Sequence, residues 1–221
     1  MALCFCSCGK TAVAPQEPEL DLDGYIDDIE LKDGFDPEIG IVLGSGLHPL
    51  ADEVEVVQTI PYETIPDFPY STVEGHAGEY ILGYLEGVSV ILMDGRLQYY
   101  EGYTMEQVVT PVRVMAKLGA ETIILTNASG SMREDFEPGD LVCINDHIAS
   151  FVPNPLIGQN DDDLRHMGVK ILGISCVTNY CPNVIDSSTS HDEVEEISAK
   201  VSDKLIRLLK VTVKKMSATG Q

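Results

Sequence analysis

Three short segments carry the residue types that could handle an anion. Gly44-Ser45-Gly46 follows the apolar run "IGIVL" and precedes a segment that can start a helix. A turn at the end of a buried strand presents backbone N–H groups and one hydroxyl, the donors an oxyanion needs. Taken alone, the triplet reads equally as a tight structural turn. It lacks the third glycine of a dinucleotide fingerprint and the Gly-Lys-Ser/Thr of a P-loop. Arg96 follows a second apolar run, "VSVILMDG". A guanidinium emerging at a strand end can grip a phosphate in a bidentate fork, or it can pair with Asp94 or Glu101 at the surface. Asn127-Ala128-Ser129-Gly130 follows a third such run and could add backbone donors at the same sheet edge. His76, between glycines in "VEGHAGEY", is a loop histidine, either titratable at the site or inert.

Positioning these turns on one edge takes an α/β arrangement. "IGIVLGSGL", "TIILTNASG", "LVCIND" and "VKILGISCVTN" are runs that read as strands buried on both faces. "EYILGYLEG" and "VSVILMDGR" join at Glu86-Gly87 as a hairpin. Leu47 to Val54 can open a helix. Thr104 and Gln107 form a capping box ahead of Val108, Val112, Met115 and Leu118, with Gly119 as the stop. Ser190 and Glu193 form a second box, opening an amphipathic helix through roughly Lys215. The stretch from about Asp146 to Val169 has no helical period, although a parallel crossover there would need a helix.

Composition bounds the rest. The 221 residues, 44% hydrophobic, suit one domain and one core. Residues 1–38 read as an acidic appendage, mostly solvated with at most a short helix, since ten acidic residues face one lysine between Glu17 and Glu38. The domain is expected over 39–221. A net charge of −22 without a basic stripe argues against nucleic acid and anionic membranes, while leaving a local anion site open. Without an apolar run of membrane length or a secretory signal pattern, the expectation is a cytoplasmic chain. Cys143, Cys176 and Cys181 fall in or beside apolar runs, as reduced, buried thiols do. Cys4, Cys6 and Cys8 have no nearby histidine or cysteine pair to complete a tetrahedral metal set.

"IGIVLGSGL", "IPDFPYSTVEGHAGEYILGYLEG", "DGRLQYYEGYTMEQVVTPVRVMAKLGAETIILTNASG", "EPGDLVCINDHI", "NPLIGQND" and "LGISCVTN" together resemble the trimeric purine nucleoside phosphorylases. The resemblance runs from about Gly34 to Asp162 and resumes near Arg165. It implies a phosphorylase-type mixed β-sheet flanked by helices. It also implies cleavage of (deoxy)inosine and (deoxy)guanosine by inorganic phosphate, a co-substrate, with no metal or organic cofactor and in a homotrimer. Ser45, Arg96, Gln98 and the Ala128 N–H would hold phosphate, with His76 at its entrance. Tyr100 would pack over the ribose, Asn179 would hydrogen-bond the purine, and His191 would orient the 5′-hydroxyl. Asn179 could otherwise be a strand-end cap.

Two departures from the family pattern stand out. Gln98 occupies the place of a phosphate-contacting histidine, and can donate a hydrogen bond without carrying charge. Near 161–166, "NPLIGQND" meets "LRHMGVKILGIS" although the family has a long segment between them. That segment holds a G-P-S-F-E-T-like loop, the glutamate that binds the base, a second phosphate-contacting serine and at least one core strand. An incomplete sheet exposes apolar faces and unpaired ladder groups, so weak activity or none is expected. The competing expectation is a non-catalytic shortened subunit that binds phosphate or partner chains. A methylthioadenosine phosphorylase is disfavoured by Asn179 and His191.

Overall fold

The computed structural model describes residues 20–44, 46–70, 78–157, 166–181 and 191–219, with the side chains of 191–193, 195 and 219 outside the description. Ser45, His76, Ser190, the Cys4/Cys6/Cys8 tract and the junction at 161–165 lie outside the described residues.

The centre of the sheet is β1, Ile39–Val42, every residue of which is buried. It pairs in parallel with β4, Val88–Asp94, on one side and with β5, Thr122–Ser131, on the other, so that Ile41 faces Leu92 and Ile124 in register. β3, Glu79–Leu85, forms the expected antiparallel hairpin with β4. Glu86 and Gly87 at its tip both have positive φ, 53° and 83°, the turn sense that matches strand twist. β2, Glu55–Pro61, pairs antiparallel outside β3. Beyond β5 come β7, Lys170–Tyr180, in parallel, and β6, Leu141–Ile144, antiparallel to β7, giving the order β2-β3-β4-β1-β5-β7-β6. This is the expected mixed sheet flanked by helices.

Each face of the sheet carries its own core. On one, α1, Leu22–Asp27, and α2, Met105–Lys117, cover Val42, Ile91 and Met93, with Tyr25, Tyr62, Phe68 and Tyr80 stacked edge to face beside them. On the other, α3, His191–Thr219, lays Leu205, Ile206, Leu209 and Val213 against Ile39, Ile41, Leu92 and Ile124. The Thr104/Gln107 box closes the start of α2 reciprocally, and Gly119 at φ 124° ends it. The acidic segment holds the short helix α1, and Tyr25, Ile29 and Phe35 within it are buried in the first core.

Four expectations are corrected. The segment after Leu47 forms a 3₁₀ helix, His48–Glu53, rather than an α-helix, and β2 begins at Glu55. Asn127 to Gly130 is strand, not turn: β7 is eleven residues long and keeps pairing with β5 as far as Ser131 and Tyr180. β6 is an edge strand with Cys143 and Ile144 exposed, so Cys143 is not a buried thiol. β6 and β7 run antiparallel, so their connection needs no crossover helix. α3 also runs four residues beyond Lys215.

Candidate active site

β4, β1, β5 and β7 are mutually parallel, so their C-terminal ends share one edge of the sheet. Leaving β1, the Gly44 N–H donates to Thr126 Oγ1 at 2.8 Å, and that hydroxyl donates to the Val42 carbonyl at 2.8 Å. A side chain at position 44 would put its Cβ 3.0 Å from the Thr126 carbonyl oxygen, so this approach needs glycine. Gly46 has φ 78°, and its carbonyl accepts the Ser202 hydroxyl of α3 at 2.8 Å. The chain is thus held at Gly44 by β5 and at Gly46 by α3.

Arg96 lies two residues beyond β4 and reaches across the end of β1 to donate Nη1 to the Thr126 carbonyl at 3.2 Å. Its Nε is buried and has no hydrogen-bond partner among the described residues. The Asp94 carboxylate, one of the two pairing options, is taken by His48 Nδ1 at 2.6 Å. The other, Glu101, accepts the Gln98 N–H at 2.9 Å. Among the described residues Arg96 has no carboxylate at ion-pair distance, and burial pulls its guanidinium pKa down. A partly buried cation without a counter-ion is suited to an incoming anion.

The other expected residues spread along this edge. Gln98 caps the 3₁₀ turn Tyr99–Glu101, which carries Tyr100 with 77% of its surface exposed. Ala128 lies opposite Cys176 on β5, two residues past the Arg96 anchor. Asn179 stands in register with Gly130 and against it: a Cβ at 130 would fall 2.9 Å from Asn179 Nδ2. The Asn179 amide accepts from Thr178 Oγ1 at 2.8 Å and donates to the Tyr180 carbonyl at 3.0 Å. His191 is the first residue of α3. The structure therefore brings Gly44, Arg96 and β5 into contact and places Asn179 on the neighbouring strand.

Thr126, Ser198, Ser202 and the His48–Asp94 pair escaped the sequence reading. Thr126 had a signal as the polar residue that ends the apolar run "IIL". Ser198 and Ser202, four apart on α3 beside Val201 and Leu205, interrupt an apolar stripe and line the cleft with Gly44, Thr126 and Asn127. The His48–Asp94 pair spans 46 residues and has no local signal.

The family model described as "Phosphorylase superfamily" matches residues 38–165. Purine nucleoside phosphorylase 1 of Geobacillus stearothermophilus is 38% identical over 260 residues, covering 85% of this chain and 95% of that one. A chain of 221 residues cannot fill 260 positions, so the bacterial protein has residues without a counterpart here. The purine nucleoside phosphorylase of Rattus norvegicus is 44% identical over 129 residues, 57% of this chain and 45% of its own. Among solved structures, Schistosoma mansoni purine nucleoside phosphorylase in complex with inosine superimposes with a TM-score of 0.78 at 27% identity, covering 88% of this chain and 95% of that one.

Proposed function

The chain belongs to the phosphorylase superfamily and, within it, to the purine nucleoside phosphorylases, and from that premise we propose how its own residues divide the reaction. The reaction is the phosphorolysis of (deoxy)inosine and (deoxy)guanosine. The glycosidic C–N bond breaks with its electron pair passing to the purine, which takes up a proton. A phosphate oxygen bonds the sugar carbon, giving free base and (deoxy)ribose 1-phosphate. The observation that carries the reading is Arg96: half-buried, with no carboxylate at ion-pair distance among the described residues, and anchored to Thr126 beside Gly44.

In this reading Arg96, Ser45, Gln98 and the Ala128 N–H hold phosphate, with His76 at its entrance. Tyr100 lies over the ribose and His191 orients the 5′-hydroxyl. Asn179 donates to the purine ring as it gains negative charge. Cleavage builds positive charge on the sugar and negative charge on the base. Phosphate fixed beneath the sugar and a donor at the base therefore favour the transition state over the bound substrate. Neither metal nor organic cofactor enters, and the assembly is a homotrimer, to be checked by light-scattering mass.

The 260-position alignment favours a second reading for this particular chain. The family match ends at residue 165, close to where "NPLIGQND" meets "LRHMGVKILGIS", which supports an internal deletion near 161–166, in a domain that also takes in the core residues Tyr25, Ile29 and Phe35 ahead of the expected start at 39. Such a chain retains the phosphate side and works far below its relatives, or serves as a non-catalytic subunit. Phosphate-dependent release of hypoxanthine from inosine by the purified chain decides. Turnover at a rate typical of relatives removes the deletion argument, and phosphate binding without turnover assigns the non-catalytic role.

A further inference from the structure

Two buried donors have no partner among the described residues and lie near Gly44 and Gly46. One is Arg96 Nε and the other is Ser198 Oγ, on a residue only 6% exposed. A buried donor left without an acceptor is costly, so two of them, one bonded to Thr126 through the same guanidinium and one in the cleft that Thr126 lines, call for an acceptor. Ser198 lines that cleft with Gly44, Thr126 and Asn127, and Thr126 is the residue whose carbonyl Arg96 grips. Its Cβ also lies against Gly46, where a side chain at 46 would approach to 3.1 Å. One turn further along α3, Ser202 spends its hydroxyl on the Gly46 carbonyl and so fixes the turn. The two serines, four apart, share a helix face but not a job.

We propose that Ser198 is an anion-binding residue: its hydroxyl donates to the inorganic phosphate held by Arg96, from the α3 wall of the cleft. This rests on the phosphate reading above and extends it to a helix that supplies a phosphate ligand from its N-terminal third. The hydroxyl is idle in the empty site and engaged in the occupied one.

Calorimetric titration and thermal melts of the full chain with inorganic phosphate test it. Ser198→Ala is expected to melt no lower than the parent without phosphate, because an unsatisfied donor has gone. It should nevertheless bind phosphate about tenfold more weakly, as loss of one hydrogen bond to a charged group predicts. Ser198→Cys, close in shape but a weak donor, should fall between. A hydroxyl with only a structural role gives the opposite pattern, a lower melt and an unchanged Kd. If Arg96→Gln abolishes phosphate binding while Ser198→Ala keeps the parental Kd, the Ser198 assignment alone is overturned. If the parent chain shows no phosphate response, the phosphate reading falls and this inference with it.

Discussion

Across β4 and β1 the sheet is sealed on both faces: Val90, Ile91, Leu92 and Ile41 show no exposed surface. From β5 outward Leu125 is 37% exposed, Ile144 43% and Ile171 59%, and the loop after β6 holds Phe151 almost wholly in solvent. Both halves are built from the same kind of apolar run. The difference is in what lies over them: α1 and α2 cover the β4–β1 side of one face, while α3 on the other face packs as far as Ile174 and Cys176 of β7 and leaves β6 and the start of β7 exposed. The groups proposed to bind the anion, Gly44 and Arg96, belong to the sealed half, and Asn179 belongs to the open one. A site divided this way can keep its affinity for phosphate while losing precision at the base.

Truncation in the sealed half gives the largest expected effect. Leu92→Ala should cost about 2–5 kcal/mol in urea unfolding, whereas Ile171→Ala should stay within about 0.5 kcal/mol. Equal losses would end the distinction between the halves. Next is Thr126→Val, at the boundary. It keeps the shape but removes the hydroxyl that joins Gly44 N–H to the Val42 carbonyl. About 1–3 kcal/mol of stability should go, together with phosphate affinity, and an unchanged phosphate Kd would uncouple the turn from β5.

The smallest effect is a pH dependence. Glu79, at the start of β3, has its pKa raised by burial and then by Asp94, with His48 opposing. The folded value lies above the unfolded one, so the cost of its charge is fully present above the folded value. That cost disappears as pH falls through it. Glu79→Gln should therefore raise the urea midpoint slightly at pH 7 and leave it unchanged near pH 4. A raised midpoint at both pH values would rule out ionisation as the cause.

β1, the β3–β4 hairpin and α2 were legible because their signals are local: a continuous apolar run, a Glu-Gly tip, a capping box. β6 was misread because "LVCI" looks like a central strand, and a strand's burial is decided by its neighbours. Asn127 to Gly130 has the composition of a turn, yet the length of β7 keeps it in the ladder. In the site, the position of Arg96 at a strand end could be read from its run. That Asp94 is spent on His48, leaving the guanidinium without it, depends on a contact between distant residues.

The placement of α3 has a consequence for the order of events in synthesis. Ile39, Ile41 and Leu92 are covered on one face by Leu205, Leu209 and Val213, far later in the chain. At about 5–20 residues per second, β1 waits on the order of ten seconds or more for that cover to emerge from the ribosome. Through that interval the nascent sheet presents a bare apolar face, and chaperone demand should track the translation of the last helix more than the assembly of the strands.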